Sequence, residues 1–139
     1  MRSTGERAAL LLAALWWGGL TALSFVAVPL AFAHFGSPAL AGPYAARLFQ
    51  FQSWASLACC LLLLLGLRLR QDKVLLQGLL PWLLLGAIAA LLQEFGVAQR
   101  ILAARVSGDD VRLWHTMGTL LVLLQWLTAL RTIMGLSSR

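Results

Sequence analysis

The groups in this chain that could do chemistry are few, and nearly all of them border or interrupt long apolar runs. They are His34 and His115, the acid Glu94 beside Gln93, the bases Arg47 and Arg100, and the adjacent thiols Cys59 and Cys60. An imidazole can accept a proton near neutral pH or ligate a metal, and a carboxylate beside it can act as its acid or base partner. His115 shares a helical stripe with Thr119, Val122 and Trp126, a face that can point inward. Ionisable groups near a membrane span are costly and tend to be paired or functional. The alternative is that they snorkel, with polar tips in water and stems covering helix ends.

Superimposing the apolar runs by depth brings these groups to one level at the outer face. On that reading Arg47 begins the second helix, Gln93 and Glu94 end the third, His115 begins the fourth and His34 leaves the first. Arg47, Gln93, Glu94, Arg100 and His115 are therefore the candidate ligand-binding residues. His34 and His115 are weaker candidates for a metal or haem, since two histidines without fixed spacing do not define a site. Cys59 and Cys60 lie about 12 residues beyond Arg47, roughly 18 Å deeper at ~1.5 Å per residue, and are read as small buried hydrophobes. No glycine-rich phosphate loop, His-Glu-x-x-His, serine elbow or Cys-x-x-Cys is present, so no enzyme is expected.

The elements that must position these residues are set by a solvent. Residues 10–32 form an uncharged apolar run, and about 20 such residues as a helix cross a hydrocarbon core of ~30 Å. The run is longer than the apolar region of a signal peptide, despite the Ala31-Phe32-Ala33 imitation of a cleavage site, and is read as a retained span. With 139 residues, 60% hydrophobic and 12% charged, the chain is too apolar for an ordinary soluble domain. The net charge of +6 is spread over termini and loops without a basic stripe, which argues against nucleic acid.

The fold expected is all-α, an integral membrane four-helix antiparallel bundle in one domain over residues 1–139. Its spans fall at about residues 8–32, 47–67, 75–98 and 112–134. Ala14, Gly18 and Ala22 recur every fourth residue, as do Gly86 and Ala90, and both sets are expected to be helix-packing faces. Pro29 should kink the first helix. Gly36, Ser37-Pro38 and Gly42-Pro43 mark a loop over residues 34–46. Polar residues also fall within the later spans, at Gln50, Gln52 and Ser53 in the second and at Thr116, Thr119, Gln125 and Thr128 in the fourth. The third run is expected to continue past Ala90 as an amphipathic extension, and Asp109 or Asp110 to cap the fourth helix. Arg2, Arg7, Arg68, Arg70, Lys73, Arg131 and Arg139 fall on one side, against Arg47, Arg100, Arg105 and Arg112, which places both termini in the cytoplasm. The Arg-rich bias among the bases looks bacterial, and the expected location is a bacterial inner membrane.

Several segments together carry a resemblance: Trp17-Gly18-Gly19 with Phe25, Pro29 and Phe32; Ala41-Gly42 with Ala45, Arg47, Leu48 and Phe49; Gln99-Arg100-Ile101; and Trp114-His115-Thr116 with Gly118 and Gln125. With these the chain resembles the bacterial domain of unknown function 4149 family, similar to transmembrane protein 205 of animals. It departs from the pattern in having Gln99 rather than Pro before Arg100-Ile101. The resemblance implies a four-helix inner-membrane protein, more distantly like copper-resistance D-type membrane domains and a haem-binding membrane protein of the bacterial haem pathway. It brings no established activity, and the animal relative's association with platinum-drug resistance points by analogy to metal-containing solutes.

Three functional expectations stand on these residues. One is a membrane protein that binds, or helps to move, a small solute or metal-containing ligand through the outer polar cluster. Another is a non-catalytic assembly partner of other membrane proteins, or a homo-oligomer, joined through its Gly/Ala faces. The third is a haem- or copper-associated membrane protein. No inverted repeat or midplane charge of the kind common in transporters is visible in the sequence.

Overall fold

The computed structural model describes residues 3–108 and 110–138, and these form helices joined by short turns, with no strand among them. The helices are α1 (Thr4–Phe35), α2 (Pro38–Leu69), α3 (Lys73–Ser107) and α4 (Arg112–Ser137), all four long and apolar enough to cross a membrane. The turns are local chemistry. Ser3 opens α1 with a reciprocal capping box, its hydroxyl accepting from the Glu6 N–H while its own N–H donates to the Glu6 carboxylate. Gly36 ends α1 at φ 60, and Gly108 ends α3 at φ 78. Asp72 accepts from the Leu75 N–H at the start of α3, and Asp110 accepts from the Arg112 N–H at the start of α4. The N-cap of α4 is Val111, which makes no side-chain cap bond, so Asp110 stands one residue before the position expected of it, and Asp109, the alternative, lies outside the described residues.

Turns this short make successive helices antiparallel. Both α1 and α3 pack against α2 and α4, which closes a four-membered ring with Ser3 and Ser138 at the same end. Hydrocarbon provides no hydrophobic drive between helices, so close approach and internal hydrogen bonds must hold the ring. Trp16 shows how. Its ring is 2% exposed, its indole N–H donates to Ser56 Oγ of α2 at 2.9 Å, and its far edge reaches the bare backbone of Gly86 in α3. Leu20, Cys60, Leu63, Leu79, Leu83 and Ala129 fill the space around it, and both cysteines are free and buried.

Several local expectations are corrected. The loop over residues 34–46 shrinks to residues 36–37, because α2 begins at Pro38. Proline at the first helical position lacks only an N–H that would have been unpaired. Pro43 lies inside the helix, beside a buried Gly42 that sits beneath the Arg105 guanidinium. At Pro29 the helix carries on, and the turn before it, Leu23–Ala27, is π-helical, with the Val28 N–H reaching back to the Leu23 carbonyl. The third helix does continue to Ser107, keeping Val97 and Ala104 buried. At Leu92–Ala98, just before the Gln99 that departs from the family's Pro, it too becomes π-helical.

The stripe of Ala14, Gly18 and Ala22 does not pack within the bundle. Ala14 and Ala22 are exposed, and a Cβ on Gly18 would meet no atom within 4 Å. The face of α1 that turns inward carries Ala13, Trp16, Leu20 and Leu23, because the indole N–H must find its acceptor inside. Gly86 and Ala90 are buried, and a Cβ on Gly86 would lie 2.8 Å from Thr128 Oγ1 and 2.9 Å from the Trp16 ring.

Gly86→Ala should therefore lower unfolding stability in detergent by about 1–3 kcal/mol, the usual cost of overpacking. Gly18→Ala should leave the same thermal melt within about 0.5 kcal/mol.

Candidate functional site

Seen along the bundle, the buried polar side chains form a column. At the deepest level Trp16 meets Ser56, with Thr128 beside Gly86. One turn toward the end opposite the termini, Gln52 donates to Ser56 Oγ at 3.4 Å, and its own carbonyl lies 3.5 Å from where a Cβ on Gly19 would stand. At that level Trp126 donates to Thr21 Oγ1 at 2.9 Å and packs its ring 5.4 Å from Trp17. Thr128 and Thr132 return their hydroxyls to the α4 backbone, donating to the carbonyls of Gln125 and Thr128. Higher again, Gln50, itself exposed, reaches in to donate from Nε2 to Glu94 Oε1 at 2.8 Å, while Gln93 rests against the backbone of Gly118 in α4.

Glu94 is the group on which this column turns. It is 5% exposed, and among the described residues it has no cation within ion-pair distance. Its place follows from the π-helical turn Leu92–Ala98, in which the adjacent Gln93 and Glu94 both face inward. Gln93 takes the α4 side and Glu94 the α2 side. Wide turns of this kind recur at functional sites in helices. Two further buried acceptors have no hydrogen-bond donor, Gln93 Oε1 and Gln125 Oε1. The Ser24 hydroxyl and the Trp17 indole nitrogen are also without partners.

Of the five candidate ligand residues, only Gln93 and Glu94 enter this interior. Glu94 precedes Arg100 by six residues and lies deeper in the bundle than that guanidinium. Arg47 does not begin α2; it sits more than two turns into that helix and is exposed. Arg100 is exposed and stacks its guanidinium 5.5 Å from the centre of the Trp114 ring. His115 is exposed at the start of α4, and the Thr119 on its stripe is exposed as well. His34 is exposed and packs edge-on to Phe35, at 5.3 Å between ring centres. The two histidines thus stand apart from the column. Among the described residues no three of His, Cys, Asp and Glu gather as metal ligands would.

The residues missed are Gln50, the partner of Glu94, and Gln52, Ser56 and Gln125 of the interior column. Their signal was present as polar residues at helical spacing inside apolar runs, Gln52 with Ser56 and Gln125 with Thr128 and Thr132. Which of them meets which depends on helix rotation, and that is a tertiary property.

Removing the amide donor should strand the carboxylate. Gln50→Leu is expected to destabilise the protein in detergent by about 1–2 kcal/mol, as for a buried acceptor losing its donor. Glu94→Gln, which keeps a hydrogen-bonding side chain and removes the charge, should melt at or above the wild-type temperature.

A family model described as Domain of unknown function (DUF4149) matches residues 11–110, which cover most of α1, all of α2 and α3, and the Gln50–Glu94 pair. Trp114, His115, Gly118 and Gln125 lie beyond the matched residues. No curated protein and no solved structure matches the chain. The match spans well over half of the sequence, and the chain belongs to the DUF4149 family.

Proposed function

We propose that this protein binds a small cationic solute inside its helix bundle at Glu94, without catalysing a reaction. The observation that carries the reading is the environment of that carboxylate: 5% exposed, with the neutral Gln50 amide as its donor and no cation paired with it among the described residues. A charge buried in a membrane span is costly and is ordinarily paired. The Gln93 and Gln125 amide oxygens are two further buried acceptors without a donor. One carboxylate and neutral amide oxygens suit a monovalent metal cation or a primary ammonium group better than an anion.

The proposed setting is a bacterial inner membrane with both termini cytoplasmic. Arg7, Arg68, Arg70, Lys73 and Arg131 belong to the end of the bundle that carries the termini, and Arg47, Arg100, Arg105 and Arg112 to the other, a bias of five to four among the described bases. Arg2 and Arg139, which extend that bias, lie outside the described residues. On this orientation the solute approaches Glu94 from the periplasmic side.

A second reading, an assembly partner or homo-oligomer, is favoured by the stripe of exposed Ala14 and Ala22 with half-buried Gly18 on α1. It concerns a different surface and is compatible with the first.

Thermal unfolding in detergent with sodium, potassium, lithium and ethylammonium chlorides tests the binding reading at constant ionic strength. At tenfold over its Kd, a bound cation should stabilise the wild type by about 1.4 kcal/mol. Glu94→Gln should lose that increment. No stabilisation by any of the four, or equal stabilisation of Glu94→Gln, would contradict the proposal. Separately, epitope tags at either terminus should resist impermeant labels added to the periplasmic side and react only after the membrane is opened.

A further inference from the structure

We infer that the outer groove between α3 and α4 is a binding site for an anionic phospholipid of the surrounding bilayer. The groove has a volume of about 180 Å³ and is lined by Leu92, Gly96, Arg100, Trp114, Met117 and Leu121. It is independent of the Glu94 column. Arg100 and Trp114 form its mouth, the guanidinium lying 5.5 Å from the centre of the ring. Leu92 and Leu121 form its deep end.

Three features select a phospholipid. The first is polarity: one end is cationic and aromatic and the rest is apolar, the order of headgroup and chain in a single leaflet. Arg100 faces no carboxylate within ion-pair distance among the described residues, which leaves its charge available to a phosphate. The second is length. Leu92 and Arg100 are eight residues apart, at most about 12 Å along a helix that is π-helical over Leu92–Ala98, which keeps the groove within the ~15 Å depth of half a hydrocarbon core. The third is depth, since Trp at the mouth and Arg beside it are the residues that anchor helices at the membrane interface. Gly96 forms the floor. A Cβ there would meet nothing within 4 Å, so the notch is open toward the bilayer rather than filled by the protein.

That open floor makes the test clean. Gly96→Phe puts a ring into the groove without an internal clash at its first carbon, and Arg100→Gln removes the charge while leaving the groove. Native mass spectrometry of the detergent-purified chain with added phosphatidylglycerol, phosphatidylcholine or chain-free glycerol phosphate reads the occupancy. The wild type should carry one phosphatidylglycerol in preference to phosphatidylcholine and should not take up glycerol phosphate. Arg100→Gln should bind phosphatidylglycerol about fivefold more weakly and lose the preference. Gly96→Phe should lose both lipids. Variants are compared only as monodisperse, helical preparations, and Gly96→Leu and Arg100→Lys stand in if either fails; Arg100→Lys should retain the preference. Equal lipid retention by the wild type and the groove-filled variant would overturn the inference, as would binding of glycerol phosphate equal to that of the lipid. A change in oligomeric mass in place of a lipid loss would also overturn it.

Discussion

Hydrocarbon accepts and donates no hydrogen bonds, so a polar side chain inside a membrane bundle must find its partner on another helix or on its own backbone. In this chain that requirement orients the helices. The Trp16 indole must reach Ser56, and in doing so it sends its ring across the bundle to Gly86, beside Thr128. One side chain thereby sets the rotation of α1, the spacing between α1 and α2, and the need for a bare backbone on α3. The outward turn of Ala14, Gly18 and Ala22 follows from the same contact, since one face of a helix cannot point both ways.

Above Trp16 the requirement is met less and less completely. Gln52 has Ser56 and Trp126 has Thr21, but Gln125 and Gln93 each bury a carbonyl with no donor, and Glu94 buries a carboxylate held by one amide. The column therefore changes character along its length, from paired structural contacts to buried polar groups held by one partner or none. Buried polar groups short of partners, in an interior that could instead have been aliphatic, are groups that a bound ligand can complete. On the proposed reading, a bound cation supplies the complement to the Glu94 carboxylate.

Much of the architecture was legible because it depends on composition and length: four apolar runs, short turns and antiparallel order. What escaped depends on neighbours. The Gly42-Pro43 pair reads as a turn locally, yet Pro43 is helical and Gly42 is the flat place on which Arg105 rests. A small-residue stripe reads as a seam, yet the seam of α1 runs through an indole. In the site, depth could be read for Gln93 and Glu94 to within a few turns, but not that both face inward from a π-helical turn. Matching Gln50 to Glu94 needs the relative rotation of two helices, which no single run of sequence encodes. The exposed positions of Arg47, Arg100 and His115 follow from the same unknown. At equal depth, a residue rotated outward meets lipid or headgroups instead of the column.

The claim that the Glu94 carboxylate is the cation-binding group can be tested at that group itself. Infrared difference spectroscopy of the protein in nanodiscs, recorded with and without the stabilising cation, reports the side-chain carboxyl stretch directly. The wild type should show a cation-dependent carboxyl band that is absent from Glu94→Gln and shifted in Gln50→Leu. A wild-type spectrum with no cation-dependent carboxyl band, or the same band in Glu94→Gln, would contradict the account.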